Sequence, residues 1–328
     1  MIGVDSIQVA RTRIAPHIRS TPTALSTSLS ERCGVPVWLK LEHHQVTGSF
    51  KLRGAINAVL QLSDAQRGRG VIAVSTGNHG RALAYAARKV GSRATICMSR
   101  LVPQNKVDEI RRLGADVRII GASQDEAEQE VERLVAEEGM VVVPPFDDPC
   151  IVNGQGTIGL DLVEAVPDLE TVLVGVSGGG LAAGIATAVK QMRPRAKVIG
   201  VTMRRGAAMK ASIDAGKPIQ VPEFPSLADA LGGGIGLDNK WTFKMCRDLL
   251  DDIVLLEEAD IASGMRHAYV QEREVLEGSG AVGIAALVAD RIPNLHGPVA
   301  IVLTGRNVDM KLHQSVMNGS DDPFAGDA

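Results

Sequence analysis

Aromatic side chains are scarce in this chain: two tryptophans, two tyrosines and five phenylalanines, 3% of 328 residues. The core must therefore be aliphatic and closely packed, without large rings to fill its layers. Cysteine is sparse too. Cys33, Cys97, Cys150 and Cys246 stand apart without paired spacing, which argues against a zinc site and a disulfide framework. Charge of one sign is missing: 35 Lys and Arg stand against 38 Asp and Glu, a net charge of −3. Such a surface offers no broad attraction to nucleic acid or an anionic membrane. No apolar run is long enough to span a bilayer, and Met1-Ile2-Gly3-Val4-Asp5 places no basic region ahead of an apolar stretch. A soluble, cytoplasmic protein is expected. Internal repeats and low-complexity blocks are absent.

What the chain has in quantity is glycine, 35 residues, and a hydrophobic content of 45%. That mixture suits helices alternating with parallel strands, whose central strands read as Val/Ile/Leu runs. The length allows one large or two moderate domains. A helix is predicted over 6–14, a loop over Arg19-Ser20-Thr21-Pro22 and a strand over 35–41. From Gly70 a βαβ rhythm begins, with strands at 71–74, 94–98, 117–120 and 140–143 and helices at 80–89, 104–113 and 124–138. Pro144-Pro145-Phe146-Asp147-Asp148-Pro149 breaks the rhythm. A second series follows, with strands near 172–176, 198–201, 253–256 and 299–303. The expected fold class is α/β, with two parallel-sheet αβα domains. The larger comprises 1–69 and 148–328, and the smaller, 70–147, is inserted within it. The tail from Asn318 is expected to fray.

Glycine-containing turns carry the chemistry. In Thr47-Gly48-Ser49-Phe50-Lys51-Leu52-Arg53-Gly54-Ala55 a lysine falls in the first turn of an alanine-rich helix. The positive end of a helix disfavours a cation there, and with partial burial it would lower the amine's pKa and free it to attack a carbonyl. A surface lysine early in a helix is the plainer reading, and only the surroundings displace it. Ser75-Thr76-Gly77-Asn78-His79-Gly80 links a buried strand to a helix, where exposed N–H groups suit a carboxylate. Ser177-Gly178-Gly179-Gly180-Leu181 does the same after the strand at 172–176. Three consecutive glycines let successive N–H groups converge on one phosphate. Thr304-Gly305-Arg306-Asn307 follows the last strand. Gly154-Gln155-Gly156-Thr157-Ile158-Gly159 fits the dinucleotide pattern G-x-G-x-x-G but does not directly follow a strand, and no acidic residue stands about twenty positions later. It is read as the start of a structural helix.

Ser49-Phe50-Lys51-Leu52-Arg53-Gly54-Ala55 closely resembles the lysine segment of the pyridoxal-phosphate-dependent serine/threonine dehydratase family, of the tryptophan-synthase β fold (fold type II). The other motifs follow in the family's order, and the resemblance spans roughly residues 5–315. It implies that Lys51 holds pyridoxal 5′-phosphate covalently and serves as catalytic base. Ser177, Gly178, Gly179, Gly180 and Leu181 would cradle the phosphate. Phe50 would pack beside the cofactor ring, Ala230 near its other face, and Glu277 would lie at the cofactor. Asn78 would bond the phenolic oxygen, and Thr304 would stand where the family usually has a serine, at the pyridine nitrogen. Ser75, Thr76, Gly77, Asn78 and His79 would hold the substrate carboxylate.

Departures narrow the reading. Acidic metal ligands found in some relatives correspond here to Thr202 and Ala208, so no metal is expected at that site. Gly77-Asn78-His79-Gly80-Arg81-Ala82 and Arg205-Gly206-Ala207-Ala208-Met209 look most like the hydroxyectoine-utilisation dehydratases, with β-hydroxyaspartate dehydratases close by. The expected reaction is elimination of water from a β-hydroxy amino acid, giving a 2-oxo acid and ammonia. The favoured substrate is a 3-hydroxyaspartate-like or hydroxyectoine-pathway compound, with Arg81, Arg204 or Arg205 receiving a second carboxylate and Arg53 a weaker candidate. The alternatives are a plain threonine/serine dehydratase or a serine racemase with dehydratase side activity. A homodimer with no nucleic-acid or membrane partner is expected.

Overall fold

Valine- and isoleucine-rich segments become strands, and glycine–alanine segments become the helices that cover them. The computed structural model of the chain describes residues 2–75, 77–100, 102, 104–121 and 124–325. It opens with α1 (Val4–Ile14), β1 (Thr23–Ser26), α2 (Thr27–Cys33) and β2 (Val37–Lys40). There follow α3 (Lys51–Val59), α4 (Asp64–Arg69), β3 (Val71–Val74), α5 (Asn78–Lys89), β4 (Ala94–Met98), α6 (Gln104–Arg112), β5 (Asp116–Ile119), α7 (Gln124–Glu138) and β6 (Val141–Val142). Next come α8 (Pro149–Ala165), β7 (Thr171–Gly175), α9 (Gly180–Met192), β8 (Lys197–Met203), α10 (Ala208–Asp214) and α11 (Thr242–Leu249). The chain closes with β9 (Asp252–Leu256), α12 (Glu258–His267), α13 (Gly278–Val288), β10 (Val299–Val302) and α14 (Met310–Met317).

Polar caps set several helix starts. Ser26 accepts the Leu29 N–H at the head of α2, and Ser63 and Gln66 form a capping box on α4. Asp148 accepts the N–H groups of Cys150 and Ile151, with Pro149 in the first position of α8. The proline-rich break is thus a helix start.

The described residues form two sheets. One has the order β1-β2-β10-β7-β8-β9 and the other β5-β4-β3-β6. Every pairing is parallel except β1 with β2. The strands of the four-stranded sheet fall, in sequence, between β2 and β7. Among the described residues no helix is long and apolar enough to cross a membrane.

Two sequence readings need correction. The sequence leaves 23–26 without a strand, yet β1 pairs antiparallel with β2 there and makes one edge of the large sheet mixed. Two of its four side chains are exposed and the one buried is Ser26, so this short edge carries almost no apolar signal. Gly154–Gly159 lies inside α8, not at its start. A Cβ on Gly154 would come within 2.6 Å of the Arg53 carbonyl oxygen and 2.7 Å of Gly54 Cα. One on Gly156 would meet the Gly184 carbonyl oxygen at 2.9 Å, and one on Gly159 the Ile185 oxygen at 2.9 Å. These glycines let α3 and α9 press backbone to backbone against α8. Each costs about 1 kcal/mol of helix stability relative to alanine, which the close packing offsets.

A contrast between two helical glycines tests this packing. Gly68→Ala in α4 meets nothing within 4 Å and should be neutral or stabilising by up to about 1 kcal/mol. Gly154→Ala gains the same propensity but drives a methyl into backbone, an overpacking cost of about 1–3 kcal/mol or more, so it should lower the urea midpoint. Equal midpoints for the two variants would refute the close approach of α3 and α8.

Candidate active site

A cavity of about 250 Å³ lies at the C-terminal ends of β3, β7 and β10, where Val74, Gly175 and Thr304 line it. Helices α3, α5, α9 and α13 all begin at this cavity, bringing Lys51, Asn78, Gly180 and Ser279 to its wall. Their N-terminal partial charges add, so the space favours anionic groups.

Lys51 is the first residue of α3. Its amine donates to the Pro145 carbonyl oxygen at 2.7 Å and stands 5.4 Å from the centre of the Phe50 ring. Burial lowers its pKa to about 8, which leaves an appreciable uncharged, nucleophilic fraction near neutrality. The Phe50 N–H donates to the Thr304 carbonyl oxygen at 3.0 Å and ties the lysine turn to the end of β10.

Opposite stands Ser177–Leu181. Gly179 caps α9 in a left-handed conformation (φ 89°), with no side chain capping the helix. A Cβ on Gly178 would collide with the Phe146 ring, and one on Gly180 would approach the Phe146 carbonyl oxygen to 2.9 Å. On Gly179 it would meet Met209 Cε at 2.8 Å and Cys246 Sγ at 2.9 Å. So Gly179 is required by its backbone and by the core behind it, whereas Gly178 and Gly180 let Phe146 close over the loop.

A hydrogen-bonded chain spans the cavity between the two sheets' helices. Asn78 Nδ2 donates to Glu277 Oε1 at 2.7 Å. Asn307 Nδ2 donates to Asn78 Oδ1 at 2.5 Å and to the Thr47 carbonyl oxygen at 3.0 Å. Arg81 Nη1 reaches Asn307 Oδ1 at 3.3 Å and Glu109 at 3.5 Å. Burial, helped by Asp229, raises the Glu277 pKa to about 7, against the opposing Asn78 hydrogen bond.

The asparagine loop is built from within. Ser75 Oγ accepts the Gly80 N–H at 2.9 Å and the Gly77 N–H at 3.4 Å, so its hydroxyl shapes the turn. His79 Nε2 donates to the Val143 carbonyl oxygen at 2.8 Å. Burial, and then the Lys51 charge, lower its pKa to about 3, so His79 is a neutral prop and not a proton carrier. Thr76, expected at the substrate carboxylate, lies outside the described residues.

Of the arginines proposed for a second carboxylate, only Arg81 lines the cavity. Arg204 pairs with Glu257 at 2.5 Å and Arg205 with Asp322 at 2.5 Å, both away from it. Arg53 is buried among carboxylates. At the positions of the relatives' acidic metal ligands, the Thr202 hydroxyl donates to Met203 Sδ at 3.4 Å and Ala208 opens α10.

Sequence reasoning missed several wall residues. Phe146 sits in the proline-rich break, and Lys106 forms an ion pair with Asp229 at 3.0 Å at the cavity. Ser279, in the Glu277 segment, is buried with its hydroxyl unpartnered among the described residues. The adjacent Thr304 Oγ1 donates to the Ser279 carbonyl oxygen at 3.2 Å. Of the missed wall residues, Asn307 alone falls inside one of the glycine-turn motifs, at the end of Thr304-Gly305-Arg306-Asn307.

These residues fit pyridoxal 5′-phosphate. The uncapped glycine loop at the head of α9 could hold its phosphate, the lowered-pKa amine could hold its carbonyl carbon, and two buried hydroxyls could face its ring.

Residues 14–305 match the family described as pyridoxal-phosphate dependent enzymes. A protein of Sinorhizobium fredii named provisionally as a threonine dehydratase is 64% identical over 318 residues, 97% of this chain and 96% of that protein. The L-threonine ammonia-lyase of Thermotoga maritima is 40% identical over 97% of this chain and 79% of its own length. The structure of maize serine racemase superposes with a TM-score of 0.91 at 34% identity, covering 97% of each chain. By this match, and by the site that its residues build, the chain belongs to the pyridoxal-phosphate dependent enzymes.

Proposed function

We propose that the protein is a threonine/serine dehydratase: it removes water from a β-hydroxy amino acid, and hydrolysis of the product yields a 2-oxo acid and ammonia. With threonine the products are 2-oxobutanoate and ammonia. The observation that carries this reading is the lowered-pKa amine of Lys51, which shares one cavity with the glycine loop Ser177–Leu181. When bound, pyridoxal phosphate supplies an electron sink for charge developing at the substrate α-carbon. Lys51 Nζ holds the α-proton once removed, and burial suits it to that task. The N–H groups of the Gly77–Asn78 turn bind the substrate carboxylate, and those of Ser177–Leu181 bind phosphate. At the ring nitrogen of a bound cofactor Thr304 would present a hydroxyl and no carboxylate, which would favour expelling a β-substituent. Phe146 and Phe50 exclude water from the lysine side.

The names of the relatives favour threonine. The narrower reading, a 3-hydroxyaspartate or hydroxyectoine-branch substrate, retains one supporting observation: Arg81 on the cavity wall, its side chain 16% exposed. Its contacts with Glu109 and Asn307 already offset part of its charge, so threonine comes first. The homodimer and the cytoplasmic location expected from the sequence belong to the same proposal.

Lys51→Ala should give a folded protein without a borohydride-reducible link to the cofactor and with no measurable turnover. A variant retaining both would overturn the assignment of Lys51. Release of 2-oxo acid from a substrate panel tests the rest, and threonine or serine should outrun every isomer of 3-hydroxyaspartate. The reverse order would favour the narrower reading, provided that Arg81→Gln reduces the preference for 3-hydroxyaspartate about ten- to a hundredfold, the worth of a charge-assisted contact of about 1.5–3 kcal/mol.

A further inference from the structure

Outside the cavity, the turn after β2 and the segment before α13 bring two imidazoles and a carboxylate to one point. His43 Nε2 and His44 Nε2 each lie 2.9 Å from Glu274 Oε2. The three ligand atoms all fall within 4.8 Å of one another. We propose that His43, His44 and Glu274 form a binding site for a divalent transition-metal ion of the zinc, cobalt or nickel type.

The spacing is that of a coordination shell. Around an ion with bonds of about 2.0–2.1 Å, neighbouring donor atoms lie about 3 Å apart. Both nitrogen–oxygen separations, 2.9 Å, are close to this value, and all three donors lie within 4.8 Å, so side-chain rotation would bring them onto one ion. The donor set selects the metal: imidazole nitrogen with one carboxylate suits zinc, cobalt and nickel, whereas magnesium and calcium require oxygen shells. His43 is buried, while His44 and Glu274 are 36% and 20% exposed, so the remaining coordination positions open to water.

The backbone holds the donors in place. The His43 N–H donates to the Leu303 carbonyl oxygen at 2.9 Å, and the Gln45 N–H closes the turn on Glu42 at 3.1 Å. On the other side, Arg273 adopts a left-handed conformation (φ 62°), a costly one for a side chain of its size, and the next residue is Glu274. The Glu274 N–H donates to the Ala268 carbonyl oxygen at 2.9 Å. His43 Nδ1 has no partner among the described residues. Lacking that outer support, the site should bind roughly ten- to a hundredfold more weakly than a fully braced one.

A bound ion would join the turn leading into the Lys51 loop to the segment leading into Glu277. It would brace both walls of the cavity from behind without touching substrate. This role is independent of which β-hydroxy amino acid is used.

The test is metal binding by the tag-free holoenzyme, stripped with a chelator and then freed of it. Equilibrium dialysis against zinc and against cobalt should show one equivalent per chain at micromolar free metal, with no displacement by excess magnesium. Glu274→Gln, which preserves shape, and His44→Ala should each weaken that binding at least tenfold. Zinc should raise the thermal midpoint of the parent and leave both variants unchanged. Absence of stoichiometric binding by the parent, or affinity in the two variants equal to the parent's, would overturn the site and leave two imidazoles hydrogen-bonded to one carboxylate.

Discussion

Arg53 is buried in α3 with its guanidinium divided between two other parts of the chain, the turn after β2 and helix α8. It reaches both oxygens of Glu42 at 2.9 and 2.8 Å, Thr157 Oγ1 at 2.9 Å and Asp161 Oδ2 at 2.8 Å. Lys40 joins from β2, 3.0 Å from Asp161. Two cations and two carboxylates thus balance in the interior, beside the first turn that carries Lys51. A charged group so buried is tolerable only when fully paired, and removing one partner costs about 3–5 kcal/mol. The network therefore admits one placement of α3 against α8 and β2, and that placement aims the lysine into the cavity. The glycines of α8 complete the constraint, since only bare backbone lets the helices close enough for Arg53 to reach Thr157 and Asp161.

The rest of the site follows from what this anchoring leaves facing the cavity. Parallel strands end there and several helices start there, so backbone dipoles give the space a positive character without many cations. Against that background burial moves two groups in opposite senses. The Lys51 amine becomes easier to deprotonate and the Glu277 carboxyl harder, so both approach neutral pH from opposite sides. Asn78, Asn307 and Arg81 connect Glu277 to the four-stranded sheet's side, and the Lys106–Asp229 pair makes a second link across the cavity. These links join elements far apart in sequence.

Much was legible in the residues themselves. Val71–Val74 and Ala94–Met98 read as buried strands because every position is apolar or small, and the strands occupy those ranges. The glycine loop was legible because three glycines between a strand and a helix have few other uses. Lys51 stood out because a helix start disfavours lysine. What escaped was structure whose signal is weak or nonlocal. β1 is a short edge with half its side chains exposed; Gly154–Gly159 was read as structural, but its place inside α8, packed against α3 and α9, was not legible.

The sequence alone determined the alternation of strand and helix, the turns between them and the chemical character of each motif, because those depend on local propensity and apolar period. Only the tertiary structure decided which charges meet. Arg81 reaches the cavity while Arg204 and Arg205 are spent on Glu257 and Asp322, and Arg53 is enclosed, although all four are alike in sequence. The reason is physical: a side chain's charge state and partners are set by burial and by neighbours brought from elsewhere in the chain. The meeting of His43 and His44 with Glu274, more than two hundred residues away, is decided in the same way.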